Sequence, residues 1–456
     1  MPANARGLHS SLERDGIKWP AITTAGGSQL LALLYQLDAN ERSAAAALLD
    51  AQRSQASELL SHARENVPFY AERLATKDLP PLATEEWLRL HLLTRADVLL
   101  HARSLRALRV PKSHGRRLVT RTSGSTGQPV EVVRTQLLQQ FWEAITLREH
   151  IWHGRDASGS LAVIRANVPN SSGPRGRHEA TWGSPFNKIW QTGCAYILDL
   201  ATDVREQSRW IQERQPTYLL TYPANLAALL DEFAHCGAPP VREVISVGGA
   251  VSLQLRQKCA EVLGAPIVAN YSSQELGYLA LQCPDCEQYH VQSESVFVEV
   301  LDEHGMPCSP GECGRVIVTD LHNFAMPLIR YEIGDYAEVG HPCPAGRGLP
   351  SLREVLGRRR NMVVFPDGKR HWPMTGFARF NDVAYIRQYQ FVQHSRERIE
   401  VRLVVRDELT MDQLVRLETI IRDAMGYPFE IEFAQFNELL PLSQGGKFEE
   451  FVCKVR

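Results

Sequence analysis

The chain lacks an excess of charge of either sign, with 50 Lys and Arg against 52 Asp and Glu over 456 residues. That excludes a global basic field able to hold nucleic acid or an anionic membrane by charge alone, and small-molecule chemistry becomes the better expectation. No apolar run is long enough to span a bilayer, and the start, Met1-Pro2-Ala3-Asn4-Ala5-Arg6, lacks the apolar core of a signal peptide. A soluble, cytosolic protein with no membrane and no nucleic-acid partner is expected. Internal repeats and long low-complexity tracts are also missing. What remains is a chain long enough for at least two domains at the usual size of about 100 to 200 residues each.

Cysteine is present in a pattern that argues against disulfides. Five of the nine cysteines, Cys283, Cys286, Cys308, Cys313 and Cys343, crowd into one segment of this large chain, and metal is the better reading of such a cluster. Cys283-x-x-Cys286-x-x-x-His290 with Cys343 gives three thiolates and an imidazole, a set that suits a closed, structural zinc site. Cys308 and Cys313 compete as ligands, and His341 is an alternative to Cys343.

Along the chain, leucines at helical spacing between 28 and 65 read as packing helix, part of a helical N-terminal segment of about 1–90. Pro68 ends that region, and Thr94 is a candidate N-cap. From about 160 to 270, short apolar runs (161–164, 195–198, 218–222, 244–247, 267–269) alternate with amphipathic ones (226–233, 253–263). Strand and helix in alternation predict a parallel α/β sheet, with ligands gathered at the carboxyl ends of the strands. The polar stretch 168–177 reads as a mobile loop. Runs 296–301 and 315–320 predict an antiparallel β subdomain. After Gly357 a unit of about a hundred residues follows, with strands at 388–393, 398–405 and 429–434 and a helix near 410–425.

The stretch Arg121-Thr122-Ser123-Gly124-Ser125-Thr126-Gly127-Gln128-Pro129 lies between two apolar flanks, Leu118-Val119 and Val130 to Val133. Its glycines let backbone N–H groups converge while its hydroxyls add donors, an environment that suits a polyphosphate. It is not a Walker loop, because no Gly-Lys-Ser/Thr follows.

This stretch resembles the phosphate-binding loop of adenylate-forming enzymes, the acyl-CoA synthetase superfamily, and later segments resemble further motifs of that family in the same order. Ser246-Val247-Gly248-Gly249-Ala250 is similar to the strand end that lies against adenine and the acyl substrate. Tyr271-Ser272-Ser273-Gln274-Glu275 resembles the motif whose Tyr packs on adenine and whose Glu binds magnesium, with Gln274 standing where the family usually has a hydroxyl. Arg330-Tyr331-Glu332-Ile333-Gly334-Asp335 resembles the motif whose Asp holds the ribose, and Gly357-Arg358 resembles the hinge, although Arg359-Arg360 replaces the acidic residue that commonly follows. Pro441-Leu442-Ser443-Gln444-Gly445-Gly446-Lys447 resembles the loop carrying the adenylation lysine. Together with Cys283-Pro284-Asp285-Cys286 and Ala325-Met326-Pro327-Leu328-Ile329-Arg330-Tyr331, these segments resemble the phenylacetate-CoA ligase branch, some members of which carry a zinc beside the active site.

The resemblance implies an α/β fold, with a large N-terminal domain (1–356) that binds ATP and the acid and a small, mobile α+β C-terminal domain (357–456). It implies ATP, Mg2+, a carboxylic acid and CoA, the acid being activated as an acyl-adenylate and passed to the thiol. A carrier protein as acceptor and an inactive nucleotide-binding scaffold are the alternatives, and a homodimer stays open. The implied roles are Lys447 and Glu275 in catalysis, the latter through Mg2+. Thr122, Ser123, Gly124, Ser125, Thr126, Gly127, Gly248, Gly249, Tyr271, Asp335 and Arg358 bind nucleotide. Trp182, Tyr222 and Ala250 are the expected acid contacts, from strand ends and family layout.

Overall fold

The computed structural model describes residues 16, 22–75, 78–121, 130–166, 168, 175–358, 363–368, 370, 371, 377–438, 440, 441 and 451–455. Two compact units make up the chain, one of Met1–Val251 with Leu255–Val355 and one of Ser252–Gln254 with Leu356–Arg456.

In the larger unit, the apolar flanks of the Ser/Gly stretch form an antiparallel hairpin. Strand β1 (Arg117–Arg121) pairs with β2 (Glu131–Thr135), Thr120 opposite Val132 and Arg121 opposite Glu131. The stretch 122–129 itself lies outside the described residues.

The remaining strands are β3 (Leu161–Arg165), β4 (Arg177–Glu179), β5 (Ala195–Asp199), β6 (Tyr218–Thr221), β7 (Glu243–Ser246), β8 (Ile267–Ser273), β9 (Gly277–Gln282), β10 (Tyr289–Val291), β11 (Val296–Leu301), β12 (Cys313–Asp320), β13 (Tyr331–Val339) and β14 (Ser351–Arg358). They form one twelve-stranded sheet in the order β11-β12-β13-β14-β10-β9-β8-β7-β6-β3-β5-β4. Strands β5, β3, β6, β7 and β8 are parallel neighbours. They read as continuous apolar runs because both faces are covered. On β3, Leu161 and Val163 join the core that contains Leu30, Leu34, Ala144 and Ile145, while Ala162 and Ile164 join the core that contains Trp210, Leu229, Leu230 and Phe233.

The antiparallel strands are continuous with the parallel ones. The link is β8, which pairs with β7 through Ile267–Ala269 and then with β9 through Asn270–Ser273. Its second half is polar enough to hide from an apolar-run reading, which stops the strand at Ala269. The N-terminal leucine stripe likewise divides into two helices, Ala25–Asn40 and Ala45–Asn66, which feed different cores. Thr94 caps the helix Arg95–Leu100 in a reciprocal capping box with Asp97.

Arg330, at φ +50°, ties the turn before that helix to the sheet. Its guanidinium pairs with Glu299 at 3.1 Å and donates to the carbonyls of Trp87, Leu88 and Leu90 at 3.1, 2.7 and 2.8 Å. A buried arginine with its donors filled in this way orders backbone that would otherwise wander.

The smaller unit is α+β. Strands Ile386–Gln393 and Arg398–Val405 are antiparallel, with Phe451–Cys453 and Glu430–Phe436 added in parallel at either edge. Helix Met411–Met425, capped by Thr410, buries Leu417, Ile420, Ile421 and Met425 in the same core as Phe391, Val401 and Leu403. Among the described residues no helix is long and apolar enough to cross a membrane.

Candidate functional site

A parallel sheet presents the carboxyl ends of its strands as one edge, and most of the singled-out residues that are described lie there. Tyr222 follows β6 and precedes helix Pro223–Cys236. Gly248, Gly249 and Ala250 follow β7, with Gly248 at φ +76°. A Cβ on Gly249 would stand 3.2 Å from Pro223 Cγ, so the glycine lets this turn lie close against the start of the helix after β6. Gly249 and Ala250 are exposed.

Trp182 departs from the expected group. Its indole N–H donates to the Gly159 carbonyl at 2.9 Å, and its ring packs on Tyr218, Phe186 and His150. Gly159 precedes β3 and Tyr218 begins β6, so Trp182 sits at the amino ends of the strands, opposite Tyr222 and Ala250. It is a core residue, and a lone aromatic in a loop gives the sequence no means of choosing the end.

Tyr271, on the antiparallel half of β8, donates its hydroxyl to Asp335 Oδ2 on β13 at 2.9 Å, across 64 residues of sequence. Glu275, in the turn from β8 to β9, is buried, and its Oε1 lies 3.5 Å from Arg95 Nη1. The capping box at Thr94 thus has a consequence beyond its helix, because it fixes where Arg95 begins. The sequence gives no sign that Arg95 faces Glu275, and although Arg330 belongs to the Arg330–Asp335 motif, nothing local shows that its partners are carbonyls some 240 residues away. Arg358 closes β14. Thr122, Ser123, Gly124, Ser125, Thr126, Gly127 and Lys447 lie outside the described residues, as does most of the polar loop 168–177.

A second constellation stands on β9, β10 and the loop before β14. The ligand atoms of Cys283, Cys286, His290 and Cys343 lie within 4.8 Å of one another. Tetrahedral zinc–thiolate bonds of about 2.3 Å set sulfur atoms about 3.8 Å apart, and the Cys286 and Cys343 sulfurs are 4.0 Å apart. His290 is fully buried; its Nδ1 lies 3.2 Å from the Leu349 carbonyl, and its Nε2 has no hydrogen-bond partner. With the proton on Nδ1, the free lone pair belongs to Nε2, as in metal-bound imidazoles. Burial pushes the His290 pKa down to about 4, which favours that neutral ligand form, and pushes Cys283 up to about 12. For Cys343 burial also acts upward, but the backbone N–H groups of Arg347 and Ala345 together with the Cys286 and Cys283 thiols hold the thiol below its ordinary value.

The donor set fits a soft divalent metal, and the geometry chooses Cys343 as fourth member. Cys308 instead faces the Cys313 carbonyl at 3.7 Å, and His341 is exposed and not a member of the cluster. Arg347 approaches Cys283 Sγ at 3.3 Å and pairs with Asp285.

No family model matches the chain. Among curated proteins it resembles phenylacetate-coenzyme A ligase of Aromatoleum evansii, 26% identical over 313 residues, covering 66% of this chain and 68% of that protein. The phenylacetate-coenzyme A ligase of Pseudomonas putida is 24% identical over 338 residues, 72% of this chain and 74% of its own. Among solved structures, 2-hydroxyisobutyryl-CoA ligase in the postadenylation state, in complex with R3-HIB-AMP, superposes with a TM-score of 0.72 at 16% identity, covering 91% of each chain. The chain is therefore a sequence homologue of the phenylacetate-coenzyme A ligases and carries the fold of the adenylate-forming CoA ligases.

Proposed function

We propose that the protein activates a carboxylic acid with ATP and transfers the acyl group to a thiol, that of CoA. The observation that supports this most directly is the Tyr271–Asp335 hydrogen bond beside Glu275 at the carboxyl edge of the sheet. Two residues 64 apart in sequence, with chemistry suited to adenine and ribose, meet there, and Glu275 follows Tyr271 by four residues.

In the first half-reaction a carboxylate oxygen attacks the α-phosphorus of ATP, the bond to the β-phosphate oxygen breaks, and pyrophosphate leaves. Both reactants are anions, so the protein must align and neutralise them. Tyr271 packs on adenine, and Asp335 accepts from the ribose hydroxyls. Gly248, Gly249 and Arg358 complete the nucleotide site, with Thr122, Ser123, Gly124, Ser125, Thr126 and Gly127 around the phosphates. Glu275 would hold Mg2+, which would supply positive charge to offset that of the phosphates. Tyr222 and Ala250 are the proposed acid contacts, and Lys447 is assigned the role of the cation that offsets the carboxylate and α-phosphate charges. In the second half-reaction the thiol sulfur attacks the acyl carbon, the bond to AMP breaks, and the thiol proton is released. The unit of residues 357–456 is read as the mobile part that withdraws Lys447 between the two steps. Cys283, Cys286, His290 and Cys343 would hold a zinc in a structural role.

The test is ATP-dependent pyrophosphate release over a panel of aryl, aliphatic and amino acids, each with and without CoA. Release that needs both an acid and CoA is the expected result. Acid-dependent exchange that ignores CoA would point to a carrier-protein acceptor, and silence with ATP bound would point to a non-catalytic scaffold.

A further inference from the structure

Arg134 lies on β2, opposite Leu118 on β1. Its Nη2 donates to Thr120 Oγ1, and its guanidinium stacks on Trp142 with Cζ 4.7 Å from the ring centre. Only 8% of the residue is exposed, yet Nε and Nη1 are buried and have no hydrogen-bond partner. Water-starved donors of a guanidinium are costly to leave unmade, and native proteins rarely do so without a reason.

Both the arginine and its surroundings point inward. Arg134 lines a cavity walled by Leu138, Trp142, Ile145, Leu276, Gly277 and Tyr278, with Ser295 as a further polar contribution; the Tyr278 hydroxyl is already engaged with Thr146. The space takes little more than one water-sized group. Leu276 adjoins Glu275, so the cavity is contiguous in sequence with the proposed metal ligand. Asp320 is fully buried and acts on Arg134 through space, but no ion pair joins them, and Asp320 Oδ2 likewise has no hydrogen-bond partner. The arrangement is an apolar pocket with an unfilled cationic donor, and it asks for one acceptor atom on an otherwise apolar molecule.

We propose that this cavity reads an oxygen substituent of the acid: Arg134 donates to a hydroxyl or carbonyl oxygen carried on the apolar body, making the substrate an oxygenated aryl or alkyl acid rather than a plain hydrocarbon one. The assignment rests on the acid-activation reading above. It adds a specificity-determining residue on β2, apart from the carboxyl-end residues Tyr222 and Ala250.

The test pairs each oxygenated acid with its deoxy parent, such as hydroxyphenylacetic with phenylacetic acid and hydroxybenzoic with benzoic acid. The ratio of kcat/KM within each pair is measured for the unaltered protein, Arg134→Met, Arg134→Gln and Arg134→Lys. A hydrogen bond from a charged donor predicts a preference of about 10- to 100-fold for one oxygenated member. Arg134→Met should bring that ratio to near one, while Arg134→Lys keeps a reduced preference, because a point charge replaces a planar fork. An unchanged ratio in the folded variants overturns the proposal and leaves Arg134 a packing residue of the hairpin. Acid-dependent pyrophosphate exchange by the unaltered protein separately tests the activation reading. If no acid supports exchange, calorimetric binding of the same pairs decides the subsite, and equal affinities within every pair reject it.

Discussion

The Glu275 carboxylate is buried 3.5 Å from the Arg95 guanidinium, so a divalent cation approaching it meets positive charge already in place. Two cations this close repel each other strongly where water is scarce. If Glu275 is the metal ligand, Mg2+ must share it with Arg95 or displace Arg95, and the two residues should have opposite effects on the metal requirement. Glu275→Gln keeps the shape and removes the charge; the expected outcome is a fall of about 100-fold or more in turnover, with more Mg2+ needed for half-maximal rate. Arg95→Met should lower the Mg2+ needed for half-maximal rate. A Mg2+ titration of pyrophosphate release reads both, and unchanged titrations in the two variants would remove Glu275 as the metal ligand.

Elements explain why some of this was legible from residues alone and some was not. Period and turn chemistry are local, so the strands at 161–165 and 195–199, the helix Leu253–Leu263 and the Thr94 cap were readable directly. Ordered motifs carried Tyr271, Glu275 and Asp335, because a motif encodes distances that periodicity does not. Strand order and sheet continuity were hidden in the polar half of β8, and the end of the sheet at which Trp182 packs depends on a loop without periodicity. The cysteine segment shows the same limit at finer grain. Spacing nominated Cys283, Cys286 and His290, but only the approach of the loop before β14 selects Cys343 over Cys308, Cys313 and His341. That loop is held by Gly348, whose N–H donates to the Glu41 carbonyl at 2.8 Å and where a Cβ would stand 1.7 Å from the Ser43 carbonyl oxygen. A zinc there would pin β9, β10 and the approach to β14 together. Freshly purified protein is expected to hold about one zinc per chain by elemental analysis. His290→Gln and Cys286→Ser should lose it and unfold at lower temperature, whereas Cys308→Ser should retain it. Metal-free protein with an unchanged unfolding midpoint would end the zinc reading.

For the whole molecule, the important fact is that the chain forms two compact units while the two half-reactions need different surroundings. Adenylation needs a cation between two anions; thioester formation starts from a mixed anhydride whose charge is already reduced, and needs room for a thiol. The residues proposed for adenine, ribose and metal stand in the larger unit, on β8, the following turn and β13, while Lys447 belongs to the sequence of the smaller one. If that division is functional, removing the lysine should separate the steps. Lys447→Ala is expected to lose about 100- to 1,000-fold in acid-dependent pyrophosphate exchange, the scale of one lost charge-stabilising donor. The same variant, given a chemically prepared acyl-adenylate and CoA, should still form the thioester at a rate within a few-fold of the unaltered protein. ATP binding, followed calorimetrically, should persist, which separates lost chemistry from lost fold. Equal losses in both half-reactions would mean that Lys447 acts on structure or on both transition states, and unchanged exchange would take it out of the mechanism. The split itself is the discriminating result, because a scaffold that only binds nucleotide has neither half-reaction to lose.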